Sequence, residues 1–259
     1  MTSKLPFFVI VPGASQNPAH YGYLSHLLFL AGYPVFSALL PSVGAAGQVT
    51  TQDDADYVRD KMILPVLDHE ERDVILLMHS YSSAPGSAAA TGLGRDERKA
   101  QGKDTAVIGQ IFLAALLPRG GDQNDIVGTF GGTYPPHIRP DVPANLLRCD
   151  DRVGPLYQDV SEELQQVVAD AAMAQGMTSF TSPVPRASWD SEEFKGSIAF
   201  IRTIHDAAIP LVVQQMMLDG TGAEFIVRDI ESGHSPQLSQ PERLTEILVE
   251  LAKTFGLKG

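Results

Sequence analysis

The strongest constraint on the fold of this chain is an alternation of apolar runs of strand length with segments of helical spacing. Phe7–Val11 is the first run, and Pro12-Gly13 ends it. Tyr21–Ala31 follows with helical spacing and stops at Gly32. Further strand-length runs are Val35–Leu40, Val74–Met78, Ala106–Leu116, Ile198–Thr203 and Glu224–Val227. Helical patterns occupy Gln52–His69, Ser83–Ala90, Pro210–Leu218 and Pro241–Phe255. Thr50 or Thr51 can cap the helix Gln52–His69, and early carboxylates suit its N-terminus. Pro65 is expected to kink or split it. Apolar runs without polar alternation belong to strands covered on both faces. The expectation is an α/β protein with a mostly parallel six-stranded sheet covered by helices on both faces.

One stretch breaks the rhythm. From Pro118 to about Ser188 no strand is evident: the first part is rich in Gly, Pro and Asp, and Ser161–Gln175 reads as a helix. Leu156, Tyr157, Leu164, Val167 and Phe180 give this stretch apolar surface to pack with. It is expected to be a lid of helix and loop, residues 118–188, inserted into a core made of residues 1–117 and 189–259. A chain of 259 residues with 44% hydrophobic content is long enough for one such domain. Arg95–Asp104, short, charged and Gly-containing, reads as an exposed loop.

The net charge of −12 disfavours nucleic acid and anionic membranes as partners. Cys149 is the sole cysteine, so an internal disulfide is impossible. Two carboxylates follow it in Arg-Cys-Asp-Asp and oppose thiolate formation, so it reads as a structural or surface thiol. The N-terminal apolar run is too short for a secretion signal, and no run has transmembrane length. A cytoplasmic location is expected.

The chemistry concentrates at strand ends. The third run leads into Met78-His79-Ser80-Tyr81-Ser82 and then a small-residue helix. A serine on such a strand-to-helix turn can be a nucleophile, or simply a cap. The flanking positions that favour glycine hold Met78 and Ser82. His234, in Gly233-His234-Ser235-Pro236, follows the last strand and is placed to act as base. Asp206 follows the fifth strand and can hold the imidazole tautomer. The order Ser80, Asp206, His234 is one of those known for this constellation. The oxyanion donors are expected from the N–H of Tyr81 and, after the first strand, that of Ala14. Gly13, His20 and Tyr21 are candidates to line the substrate pocket. His79 adjoins the nucleophile and reads as structural. Asp190 is a rival acid on the wrong edge of the sheet. No spacing suggests a metal site or a phosphate loop, and no cofactor is expected.

These residues carry a family likeness over nearly the whole chain, the lid matching poorly. Phe7–Ala14, Met78-His79-Ser80-Tyr81, Asp206 with Ala208-Ile209-Pro210, and Gly233-His234-Ser235-Pro236 resemble the α/β-hydrolase superfamily. Within it, the chain resembles the branch of plant methylesterases, hydroxynitrile lyases and microbial salicylate-esterase-like hydrolases. The resemblance implies the α/β-hydrolase fold, a triad of Ser80, Asp206 and His234, and oxyanion donors Ala14 and Tyr81. It further implies hydrolysis of small esters without a cofactor, and it is compatible with a homodimer. Pro12 stands where many relatives have histidine, and Ser82 where they have glycine. Lyase members carry a threonine in the first loop and a lysine after the histidine; here Gly13 and Ser235 occupy those places. The expected function is therefore a serine hydrolase acting on a small ester or lactone. The alternatives are a lyase or cyclase using His234 as base, and a non-catalytic ligand receptor of the same fold.

Overall fold

Six apolar runs form one sheet in the computed structural model, which describes residues 4–257. The first four strands are β1 (Phe7–Val11), β2 (Val35–Ser37), β3 (Val74–His79) and β4 (Val107–Leu113). Three short strands follow, β5 (Arg139–Asp141), β6 (Leu146–Arg148) and β7 (Gln175–Gly176). The last two are β8 (Ile198–Thr203) and β9 (Ile226–Ile230). The main sheet has the order β2-β1-β3-β4-β8-β9, and every pairing in it is parallel.

Successive residues of the central strands β1, β3, β4 and β8 feed two cores. Phe8, Ile10, Ile75, Leu77, Ile111 and Leu113 face one side with Leu24, Leu28, Leu244 and Leu248. Those leucines come from the helices Gly22–Leu30 and Pro241–Gly256. Val9, Val11, Leu76, Met78 and Phe112 face the other side with Val58, Met62, Ala84 and Leu218. Burial on both faces explains why the strands read as unbroken apolar runs. The order in which strands are added reverses at β1: the chain goes outward to β2 on one side of β1 and returns to β3 on the other. The carboxyl ends of strands at such a switch point open a crevice where α/β proteins bind ligands. Ser80 stands at that crevice, directly after β3.

Several elements differ from the sequence expectation for physical reasons. The segment between β4 and β8 is not only helix and loop, because β5, β6 and β7 form a small antiparallel sheet there. These strands have three, three and two residues, too few to display alternation. Asn145, with φ of 52°, makes the turn between the first two. Arg95–Asp104 is not simply an exposed loop. Arg95–Ala100 is a helix, and buried Arg98 reaches Asp68 Oδ1 at 2.8 Å and the Thr105 carbonyl at 2.9 Å. The last strand runs to Ile230, since Asp229 and Ile230 pair with Arg202 and Thr203 of β8, and its polar Arg228 and Asp229 form ion pairs with Glu250 and Arg202. The helix from Thr51 to Asp68 widens into a π-turn over Val58–Ile63, just before Pro65, whose missing N–H breaks the regular ladder. Thr50 caps that helix with a reciprocal bond to Asp53.

Candidate active site

The turn after β3 places Ser80 in a conformation that most residues avoid, with φ of 55°. Its neighbours supply what the missing glycines would have supplied. The Ser82 hydroxyl donates to the Val11 carbonyl at 2.7 Å and accepts from the His79 N–H at 2.9 Å, pinning the turn to the end of β1. Room for Met78 comes from Gly86, where a Cβ would stand 2.6 Å from the Met78 sulfur.

Ser80, His234 and Asp206, expected together from three separate strand ends, are brought together. His234 Nε2 lies 3.1 Å from Ser80 Oγ, and its Nδ1 lies 2.9 Å from Asp206 Oδ2. Asp206 also accepts from Thr203 Oγ1 at 2.7 Å and from the N–H groups of Ala208 and Ile209 at 2.8 Å each. Burial alone would raise its carboxyl pKa. His234 and the bonds from Ile209 and Thr203 outweigh that and hold it below the usual carboxylate value. Asp206 therefore stays ionised, and its carboxylate selects the tautomer with Nδ1 protonated and Nε2 free to accept from Ser80. The histidine loop is anchored from the inserted segment: Asp159 Oδ2 accepts from Ser232 Oγ at 2.9 Å and from the Gly233 N–H at 2.6 Å.

Across from the serine, the loop after β1 turns sharply at Ser15, with φ of 66°. The amides around Ala14 are committed elsewhere: Gly13 N–H to Tyr21 Oη, Ser15 N–H to Gln175 Oε1 and Gln16 N–H to the Gly13 carbonyl. Gly13 is needed for close approach, since a Cβ would sit 3.0 Å from His79 Nδ1. Gly13, Ala14, Ser80, Tyr81 and His234 line a cavity of about 110 Å³. A second cavity, about 280 Å³, shares Leu116, Pro135, Phe180, Ala208 and Ile209 with it and extends to Ile126, Val213 and Met217.

His20 and Tyr21 do not line this cavity, contrary to expectation. His20 is buried behind the loop, its Nε2 3.0 Å from the Val168 carbonyl. Tyr21 is buried beneath the same loop, where its hydroxyl meets Gln16 Oε1, Gly13 N–H and His79 Nδ1. Their nearness in sequence gave no information on which way each side chain turns. His79, read as structural, forms part of the cavity wall. Its Nε2 is 2.8 Å from the His234 carbonyl, and its ring lies 4.9 Å from the His234 ring. Burial, then the charge His234 can carry, pushes it down to about 3, so it is a neutral support for the catalytic loop. Cys149 also faces the cavity. Its thiol donates to the Asp151 carbonyl at 2.9 Å and is pushed up to about 11 by burial, so it is no rival nucleophile at neutral pH. Asp190 is bound to Arg119 and Arg186, away from this cavity. His137 and Phe180 were not foreseen as wall residues, because nothing in the inserted segment's pattern marks which of its residues turn inward. Among the described residues, no cluster of three or more His, Cys, Asp or Glu could hold a metal, and no helix is long and apolar enough to cross a membrane.

Comparison with known proteins agrees with this fold. The family model described as "Alpha/beta hydrolase family" matches residues 8–247. The alpha/beta hydrolase nvfD of Aspergillus novofumigatus is 27% identical over 249 residues, covering 94% of this chain and 95% of that protein. A pyrethroid hydrolase of Sphingobium wenxiniae is 26% identical over 257 residues, covering 94% and 86%. Among solved structures, polyneuridine aldehyde esterase superposes with a TM-score of 0.74 at 17% identity, covering 96% of this chain and 99% of that one. That last likeness is one of fold.

Proposed function

Because this chain belongs to the alpha/beta hydrolase family, we propose that it is a cofactor-independent serine hydrolase that cleaves a small carboxylic ester or lactone through an acyl-enzyme. The observation that carries the proposal is His234 standing between Ser80 Oγ and the Asp206 carboxylate, at 3.1 and 2.9 Å.

The steps follow from the geometry. Ser80 Oγ attacks the carbonyl carbon as its proton passes to His234 Nε2. Asp206 stabilises the imidazolium that forms. The negative charge that develops on the carbonyl oxygen is received by the N–H groups of Ala14 and Tyr81, at about 3–4 kcal/mol per donor. His234 then returns the proton to the leaving alkoxide, and the C–O bond to the alcohol breaks. Water, deprotonated by the same nitrogen, attacks the acyl-serine and releases the acid.

The cavity supports an apolar substrate. Its walls are largely Leu116, Pro135, Ile138, Leu156, Phe180 and Ile209. At about 110 Å³ it is smaller than the ~300–1,000 Å³ of most ligand sites, and with its apolar neighbour the space comes into that range. Esters with one extended apolar half therefore fit, in keeping with the pyrethroid hydrolase among the relatives. Residues 118–188 act as the lid, supplying Pro135, Ile138 and Phe180 to both substrate selection and water exclusion. Ser235, buried and uncharged, follows the histidine where a lyase would need a cation, which favours hydrolysis over cyanohydrin cleavage.

The test is Ser80→Ala assayed on p-nitrophenyl acetate. Turnover falls by about 10⁴-fold or more. Turnover that survives the substitution contradicts the proposal.

A further inference from the structure

The catalytic steps leave one buried cluster unused. Asp54 is fully buried in the helix that follows β2, and among the described residues it forms no ion pair. Its Oδ2 accepts from the Tyr81 hydroxyl at 2.7 Å and from the Ser42 hydroxyl, and its Oδ1 from the Ser42 N–H at 3.0 Å. Ser42 Oγ in turn accepts from Gln175 Nε2 at 2.7 Å. Gln175 Oε1 accepts from the Ser15 N–H at 3.0 Å, and its Nε2 is shared with Ser179 Oγ at 2.8 Å. The line Tyr81–Asp54–Ser42–Gln175–Ser15 thus joins five residues far apart in sequence. Each donor in it has an acceptor.

The two ends of the line are informative. Tyr81 carries one oxyanion N–H, and Ser15 follows Ala14, which carries the other. Both ends also sit on unusual backbone. Ser15 has φ of 66°, and Tyr81 follows Ser80 at φ of 55°. A backbone held in sparsely populated conformations persists only where its surroundings over-determine it. The middle of the line includes Gln175, which belongs to the inserted segment and is buried. The Gly176 N–H donates to the Ser42 carbonyl at 2.8 Å, and a Cβ on Gly176 would come within 3.0 Å of the Ser42 and Ala45 carbonyl oxygens. The segment that carries Gln175 is therefore packed directly against the loop of Ser42 and Ala45, whose Ser42 bonds to Asp54.

We infer that Asp54 and Gln175 are positioning residues for the oxyanion hole, fixing the spacing of its two amide donors through Tyr81 and Ser15. Oxyanion stabilisation depends on donors preset at about 2.7–3.1 Å from where the charge develops, so a small drift of either amide lowers kcat. Ground-state binding depends on the apolar walls and is spared. The same line couples the inserted segment to the hole: Gln175 holds the Ser15 N–H, and the Met173 N–H donates to the Ser15 carbonyl at 2.8 Å. This role rests on the serine hydrolase chemistry proposed above.

The experiment uses three variants of the full chain. Tyr81→Phe removes the hydroxyl and keeps the amide. Gln175→Leu removes all three of that side chain's bonds, to Ser15, Ser42 and Ser179, and Gln175→Glu keeps the acceptor for Ser15. With p-nitrophenyl acetate, Tyr81→Phe and Gln175→Leu are expected to lose about tenfold or more in kcat, with KM within about twofold, a fraction of the ~10²–10³ that a whole oxyanion donor supplies. Inhibition by a trifluoromethyl ketone, whose adduct on serine places an oxyanion in the hole, weakens by the same factor as kcat/KM. Gln175→Glu recovers part of the loss. The double variant Tyr81→Phe with Gln175→Leu loses less than the product of the two, because both act on one hole. Unchanged kcat and unchanged ketone inhibition in both single variants overturn the inference, as does a rise in KM alone. Failure of the serine chemistry is read separately. Ser80→Ala that keeps turnover and ketone inhibition rejects the proposed function, whereas an inactive Ser80→Ala beside fully active Tyr81→Phe and Gln175→Leu rejects only the positioning role.

Discussion

At the scale of single residues, the site works by keeping one carboxyl charged and one imidazole neutral. Asp206 is held ionised by His234 and by backbone N–H donors despite its burial. Asp206→Asn keeps the shape but offers an amide where His234 needs an anion, so it favours the wrong tautomer. Steady-state kinetics should show kcat lower by about 10³–10⁴-fold, with the fold retained by circular dichroism. His79 is the neutral partner. Its folded pKa of about 3 lies below its ordinary 6.5, so the unfolded chain takes up a proton first as pH falls. Its contribution to stability is whole above pH 6.5 and is lost as pH falls toward 3, at a limiting slope of about 1.4 kcal/mol per pH unit. Urea unfolding at pH 7 and pH 5 should show wild type losing more stability on acidification than His79→Phe, which has no proton to take up. Equal losses in the two proteins contradict this account of His79. The meeting of Ser80, Asp206 and His234 was legible in sequence because each follows a strand and such residues gather at one sheet edge. The orientations of His20 and Tyr21 were not visible, because neighbouring positions on one turn can face opposite ways.

At the scale of elements, the turn after β3 shows how a site tolerates an unusual sequence. Met78 and Ser82 occupy places that favour glycine, and the space is recovered at Gly86 and the tether at Val11. Gly86→Ala should therefore destabilise the protein by about 1–3 kcal/mol through overpacking against Met78. Adding Met78→Ala should recover much of that loss in a thermal melt, while costs that simply add would show that the two side chains do not share the space. From sequence, Gly86 looked like one small residue among several in a helix, and its partner lies across the turn. The short strands β5–β7 were hidden for a related reason. Their pairing is made by backbone and by the turn at Asn145, not by an apolar pattern.

At the scale of the whole molecule, the parallel sheet was legible in its central strands, because burial on both sides leaves a continuous signal in β1, β3, β4 and β8, whereas the bounds of the half-buried edge strands β2 and β9 were not. The shape of the cavity was not. It depends on where the segment between β4 and β8 brings Pro135, Ile138 and Phe180, and on which residues of the helix Leu211–Thr221 look inward. Val213 and Met217 border the second cavity and lie outside the first. Val213→Trp, which fills the second cavity, should leave p-nitrophenyl acetate hydrolysis within about twofold and lower kcat/KM for octanoate or octyl esters by about tenfold, the scale on which apolar pockets discriminate. An unchanged chain-length profile would remove the second cavity from the substrate site.

The central claim is that Ser80 becomes acylated. The direct measurement is mass spectrometry of the folded protein after treatment with a fluorophosphonate, with the adduct mapped to a peptide. One adduct on Ser80, absent from Ser80→Ala and strongly slowed in His234→Ala, is the predicted result. A folded, ester-cleaving protein with no adduct, or with its adduct on another residue, contradicts the claim.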